Sequence, residues 1–354
     1  MKIGLLGLPL SGKTTFFNLL TGAGVATAAY AGERATHTGV AKVPDSRVDV
    51  LSDLFQPQKT TYARIDVVDI PGLSKGGAVE FSRELQDADA LVLILRGFVN
   101  EAIGMAQPPQ PVSDLQDILT ELIISDLSTV ERRLERLGKN AKAAKPAPGE
   151  REALAKAQQA LENGQLVSSQ EYTAEEKLAL RNYGLYTEKP MLTVLNTSEE
   201  GLSTNNAPGQ AELTVYTREH CMPLLVVCAP LEEEINQLPV EERAAFLEDL
   251  GVSESGVARL ARAAYTHLDL ISYFTVGSDE VRAWTISRGT TARQAAGKIH
   301  SDIERGFIRA EVVSYDDMVR EQTMAKLREK GLLRLEGKDY IVKDGDIMSF
   351  RFNV

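Results

Sequence analysis

Gly7-Leu8-Pro9-Leu10-Ser11-Gly12-Lys13-Thr14 stands between a short apolar run, Ile3 to Leu6, and a helical pattern from about Thr14 to Leu20. The octet fits G-x-x-x-x-G-K-S/T without a mismatch, and strand–loop–helix is the context in which that pattern has a mechanism. Glycines let successive backbone N–H groups turn inward, and the helix start adds the positive end of a dipole, so the loop makes a nest for phosphate. Leu8, Pro9, Leu10, Ser11, Gly12, Lys13, Thr14 and Thr15 are therefore the expected nucleotide-binding residues. Lys13 is expected to reach the β- and γ-phosphates as the catalytic cation, and the Thr14 hydroxyl to ligate Mg²⁺. An ordinary Gly-rich turn explains the glycines but not the adjacent Lys and Thr.

The next element outward is Asp69-Ile70-Pro71-Gly72, which ends the apolar strand Arg64 to Val68 about 55 residues after the loop. A carboxylate at a strand tip is well placed to hold the hydration shell of Mg²⁺, so Asp69 is the second expected metal residue. The Gly72 amide can face a γ-phosphate and sense its presence. Switch nucleotidases often place a glutamine next, to orient the attacking water. Here the position is Leu73, which neither donates nor accepts a hydrogen bond. Hydrolysis is therefore expected to be slow or to need a group from elsewhere.

Leu91 to Leu95, Met191 to Leu195 and Leu224 to Val227 read as further buried strands, and their alternation with helices argues for an α/β layer with a mainly parallel sheet. An insertion from about Pro111 to Lys189 splits that sheet. Leu127, Val130, Leu134 and Leu137 recur at helical spacing, as do Leu154, Ala157 and Leu161. Gly138 to Glu150, with Pro146, Pro148 and Gly149, reads as the turn between two helices of an arm, although stripes of this kind also pack directly on a sheet. From about Leu270 the pattern becomes strand-rich: Ser272 to Phe274, Arg282 to Ile286, Ala310 to Val313, Asp339 to Val342 and Ile347 to Phe352, with one helix near Thr291 to Ile303. The expected domains are 1–110 with 190–269, then 111–189, then 270–354.

Composition narrows the function classes. The 354 residues carry 39 basic and 50 acidic side chains, a formal net charge of −11. Residues 270–354 hold 14 basic and 13 acidic groups, so the acidity lies in the rest of the chain. Such a field repels nucleic acid, and any binding of it must come from a local patch. Two cysteines, Cys221 and Cys228, exclude a disulfide framework and a zinc ribbon. The four histidines, at 37, 220, 267 and 300, are too scattered for a metal set, and His300 reads as a packing or capping residue. No apolar run approaches the ~20 residues of a membrane span. A secretory leader over the first ten residues is interrupted by Lys13 and Asn18, so a cytoplasmic protein is expected.

Asn196-Thr197-Ser198-Glu199 follows the strand Met191 to Leu195. Guanine readers use N-K-x-D here, with the aspartate accepting from the base. Glu199 in place of aspartate adds a methylene that spoils the bidentate geometry, and discrimination falls sharply when such a pairing is lost. Cys228-Ala229, after the next strand, would add main-chain contacts to the base.

Together these segments resemble the YchF family of Obg-like P-loop nucleotidases. The resemblance continues through Thr38-Gly39-Val40, Glu280-Val281-Arg282-Ala283-Trp284-Thr285 and Gly306-Phe307-Ile308-Arg309-Ala310-Glu311-Val312. It extends through Leu335-Glu336-Gly337-Lys338-Asp339-Tyr340-Ile341-Val342 and the final Phe350-Arg351-Phe352-Asn353-Val354. It implies an α/β P-loop nucleotidase domain, a helical coiled-coil insertion and a C-terminal TGS domain of β-grasp type. It further implies ATP preferred over GTP, Mg²⁺ as cofactor, and ribosome or RNA as partner. The family's switch threonine falls near Glu33-Arg34 here, leaving Thr36 as the substitute metal ligand if the loop shifts. The loop in which the family carries a histidine has Ile103-Gly104-Met105 instead. The leading expectation is a slow Mg²⁺-dependent ATPase acting as a ribosome-associated switch. A GTPase of Obg type and a nucleotide-gated RNA- or ribosome-binding module with negligible turnover are the alternatives.

Overall fold

The computed structural model describes residues 1–25, 36–70, 83–99, 107–139, 147–249 and 254–353. Its strands are β1 (Lys2–Leu6), β2 (His37–Lys42), β3 (Lys59–Thr61), β4 (Arg64–Asp69), β5 (Ala90–Gly97), β6 (Met191–Thr197) and β7 (Leu224–Val227). They continue as β8 (Leu270–Thr275), β9 (Glu280–Ser287), β10 (Phe307–Ser314), β11 (Arg334–Glu336) and β12 (Asp346–Phe352). They form two six-stranded sheets, ordered β2-β4-β1-β5-β6-β7 and β11-β10-β12-β8-β9-β3.

In the first sheet β1 pairs in parallel with β4 and β5, β5 with β6, and β6 with β7. Strands covered on both faces need apolar side chains on both, which is why β5 and β6 are buried nearly end to end. The order reverses at β1, with β4 on one side and β5 on the other. Open parallel sheets bind ligands at such a reversal, outside the C-terminal ends of the strands. The 29-residue helix Pro111–Lys139 divides its apolar stripe between two cores. Leu115, Ile118, Leu119 and Leu122 pack on the sheet with Leu93, Leu95 and Leu195. Farther along, Val130 and Leu137 meet Leu154, Ala157 and Leu161 of the helix Glu150–Glu162. The long helix thus begins on the sheet and pairs with Glu150–Glu162 only in its second half. Among the described residues no helix is long and apolar enough to cross a membrane.

The chain divides into two compact units: Met1–Ala41 with Asp66–Leu260, and Lys42–Ile65 with Ala261–Val354. The sequence boundaries leave 42–65 in the nucleotidase part, whereas here the segment joins the C-terminal unit. The cause is pairing over long sequence distance: β3 runs parallel to β9, with Thr61 donating its hydroxyl to Glu280 Oε1 at 2.6 Å. Within the same unit Arg47 binds Asp45 and Asp344, each at 2.8 Å, and lies over the Phe274 ring.

Two expectations for this unit need correction. Asp339 to Val342 is not a strand; it makes one isolated bridge, Thr291 to Ile341, and the edge strand of the sheet is β11, antiparallel to β10. The helix expected over Thr291 to Ile303 breaks at His300, whose extended backbone ends Ala292–Ile299 and starts Ser301–Arg305. The His300 side chain accepts from the Asp302 amide, so it is a cap.

Candidate nucleotide site

Apart from Thr36, the expected site residues that the structure describes sit at or just after the C-terminal ends of β1, β4, β6 and β7, beside the reversal of strand order at β1. β1 runs into the loop, and Gly12 caps the helix Lys13–Thr21 with φ +90°. No side chain with a Cβ adopts that angle without strain, and a Cβ at Gly12 would collide with Asn196 Nδ2. A Cβ at Gly7 would come 2.6 Å from both Ser11 Oγ and the Ile94 carbonyl. Two of the motif's glycines are therefore steric requirements of this packing. Leu8 is half-buried and its carbonyl accepts from the Ser11 amide at 3.3 Å, while Pro9 and Leu10 are exposed at the tip.

Lys13 is buried, and its Nζ donates to Asp69 Oδ1 at 2.7 Å and to the Ile70 carbonyl. The other carboxylate oxygen of Asp69 accepts from the Thr14 hydroxyl at 2.9 Å. The loop motif and the Asp-x-x-Gly segment, 55 residues apart in sequence, thus meet through one carboxylate. Gly72 and Leu73 lie outside the described residues, as do Glu33-Arg34 and Ile103-Gly104-Met105. Thr36 leads into β2 half-buried, and among the described residues no hydrogen bond joins it to Thr14 or Asp69.

Asn196, at the end of β6, is buried and spans two loops. Its Nδ2 donates to the Ser11 carbonyl at 3.0 Å, and its Oδ1 accepts from the Ala229 amide at 3.1 Å. One amide side chain thereby fixes the phosphate loop against the segment after β7. Cys228 stands at the N-cap position of the helix Ala229–Gln237, and burial pushes its thiol pKa up. Glu199 itself is exposed at the first position of Glu199–Ser203, and Thr15 is half-buried. Sequence reading missed Asn18, whose amide takes the Val25 N–H at 3.0 Å and gives to the Val25 carbonyl at 2.7 Å. Its signal was a polar residue inside an otherwise apolar helical run.

Comparisons with known proteins bear on the chain as a whole. Residues 2–132 match a family model described as "50S ribosome-binding GTPase". Residues 270–353 match the YchF-GTPase C-terminal model, described as "Protein of unknown function (DUF933)". The "Ribosome-binding ATPase YchF" of Bacillus subtilis is 40% identical over 364 residues, covering 100% of both chains. Its namesake in Haemophilus influenzae is 41% identical over 362 residues, covering 100% of this chain and 99% of that one. A solved structure, "Structure of the Schizosaccharomyces pombe YchF GTPase", superposes with a TM-score of 0.85 at 28% identity, over 99% of this chain and 97% of that one. A likeness that spans both chains end to end, at these identities, assigns the sequence: it belongs to the YchF family.

Proposed function

We propose that this protein binds ATP at the β1 loop, hydrolyses it slowly with Mg²⁺, and uses the nucleotide state to control association with the ribosome. The observation that carries this reading is the convergence of Lys13, Thr14 and Asp69 in one buried cluster, braced by Asn196. The relatives' names supply the ribosome and the ATPase activity.

The donor set fits Mg²⁺. That ion takes one or two protein oxygens and completes its shell with phosphate and water. Thr14 Oγ1 and Asp69 Oδ2 offer two hard oxygens 2.9 Å apart. When bound, the ion would neutralise charge on the β- and γ-oxygens. The chain's own residues do the rest. Loop amides and the helix start hold the phosphates, and Lys13 exchanges its bonds to Asp69 and Ile70 for phosphate oxygens. In the transfer of the γ-phosphoryl group to water, its fixed ammonium stabilises the charge that develops. Leu73 cannot orient the water, which supports slow turnover.

Adenine preference rests on Glu199. Calorimetric titration of the wild type and Glu199→Asp with ATP and GTP tests it: the shorter carboxylate should shift preference toward GTP by about tenfold. An unchanged ratio would remove Glu199 as the base reader, and wild type binding GTP tenfold more tightly than ATP would favour a GTPase. Phosphate release at the enzyme-free rate, with and without ribosomes, would favour the module with negligible turnover that Leu73 also motivates.

A further inference from the structure

The site as built leaves one phosphate without a cation. Lys13 and Mg²⁺ serve the β- and γ-phosphates, whereas the α-phosphate, next to the nucleoside, has only loop amides. The sheet order β2-β4-β1-β5-β6-β7 says where a further cation would stand. Asp69 ends β4 on one side of β1, while Asn196 and Cys228 belong to the ends of β6 and β7 on the other. A nucleotide whose γ-phosphate lies toward Asp69 and whose base lies toward Glu199 therefore crosses the C-terminal end of β5.

Arg96 occupies that end. It pairs in parallel register with Asn196, and such partners share a face on strands about 4.8 Å apart. The Asn196 side chain on that face donates to the Ser11 carbonyl of the phosphate loop. At the start of the loop, Gly7 is packed so closely on the Ile94 carbonyl that a Cβ would come within 2.6 Å of it. Ile94 lies two residues before Arg96, so the loop is bounded by β5 as well as by β6. Arg96 is half-buried, and its Nη1 donates to the Phe98 and Gln107 carbonyls at 3.1 and 3.4 Å. Both acceptors are neutral. Among the described residues Arg96 has no ion pair, and its Nε and Nη2 make no hydrogen bond. Two carbonyls thus fix one corner of the planar group, and the remaining edge is the donor fork that matches two oxygens of a phosphate.

The departure from N-K-x-D leads to the same place. The lysine position of that pattern is Thr197 here, which is 1% exposed and donates its hydroxyl to the Gly97 carbonyl at 3.3 Å. Thr197 presents no cation to a nucleotide, whereas Arg96, register partner of the residue before it, stands on the adjoining strand. A transition-state role at the γ-phosphate fits less well, because β1 separates β5 from β4 and Asp69. Resting on the nucleotide binding proposed above, we propose that Arg96 binds the α-phosphate through Nε and Nη2, across β1 from Asp69.

Calorimetric titration of wild type, Arg96→Gln and Arg96→Lys with ATP, ADP and GTP, each with Mg²⁺, tests the assignment. The melting temperature without nucleotide checks that each variant is folded. ATP and ADP share the α-phosphate, so Arg96→Gln should weaken both by the same factor, about tenfold, as expected for loss of a charged hydrogen bond. The ratio of ATP to GTP affinity should not change, and Arg96→Lys, which keeps the charge, should recover part of the loss. A loss confined to ATP would move Arg96 to the γ-phosphate, and a shifted ATP-to-GTP ratio would move it to the base; either overturns the proposal. So would an Arg96→Lys protein as weak as Arg96→Gln, since charge would then not be what was lost. Unchanged affinities in both variants, with wild type binding ATP, would reject Arg96 and leave the nucleotide site standing. Wild type that binds no nucleotide would end both readings.

Discussion

Lys13 and Asp69 form an ion pair in which both side chains are more than nine-tenths buried. Charges taken out of water in this way need every remaining bond satisfied, which the Thr14 hydroxyl and the Ile70 carbonyl provide. The pair thus holds the ammonium beside the loop, where the proposed function has it exchange these partners for phosphate oxygens. Gly12 sets the same geometry from the backbone side. Gly12→Ala should cost about 2 kcal/mol through the positive φ alone, and more through displacement of Asn196 from Ser11. Nucleotide affinity should fall by at least about tenfold with it. Gly138, in a helix with nothing within 4 Å of its absent side chain, is the contrasting site. Its change to alanine should stabilise by about 1 kcal/mol. Urea unfolding of both variants, with ATP titration, checks the pair; equal behaviour would show that the Gly12 angle imposes nothing. At this scale the sequence was informative: residue type and spacing named Lys13, Thr14 and Asp69 as expected site residues, and likeness to the N-K-x-D pattern added Asn196. What they could not reveal is that Asn196 reaches back to the phosphate loop, since that contact spans 185 residues.

The elements show where local reading succeeds and where it stops. Strands β1, β4, β5, β6 and β7 are apolar runs between turn signals, so their buried faces were visible in composition. β2, β3 and β11 were not, because short half-exposed edge strands carry almost no periodic signal. In the insertion, stripe residues such as Val130, Leu154 and Leu161 were legible, but the division of one long helix between two cores was not. The helix Ala174–Leu180 begins with a reciprocal box between Thr173 and Glu176. The bond from Lys156, followed by that of the Thr173 amide, holds the Glu176 carboxyl below its ordinary range. A depressed carboxyl stabilises the fold above its unfolded pKa of about 4.5, and that contribution is lost as pH falls through the folded value. Glu176→Gln removes it. The urea midpoint of this variant should therefore lie below wild type near pH 7, and the difference should narrow as pH falls below the ordinary glutamate value. A gap independent of pH would mean that the charge contributes nothing.

For the whole molecule, the segment Lys42–Ile65 matters most. The chain leaves the nucleotide-binding unit after Ala41, adds β3 to the sheet of the C-terminal unit, and returns at Asp66 to run straight into Asp69. No pattern within 42–65 announces this, because the strand that pairs with β3 and the Asp344 partner of Arg47 lie more than 200 residues downstream. Everything proposed about nucleotide and ribosome nevertheless depends on one property of the full chain, that its first loop grips a polyphosphate. Calorimetric titration of the intact protein with Mg²⁺–ATP, beside Lys13→Ala shown to be folded by circular dichroism, tests that property most directly. Wild type should bind one ATP per chain, and the variant should lose at least about tenfold in affinity, as expected when a charged hydrogen-bond partner of phosphate is removed. A folded Lys13→Ala protein that binds ATP as tightly as wild type would contradict the account.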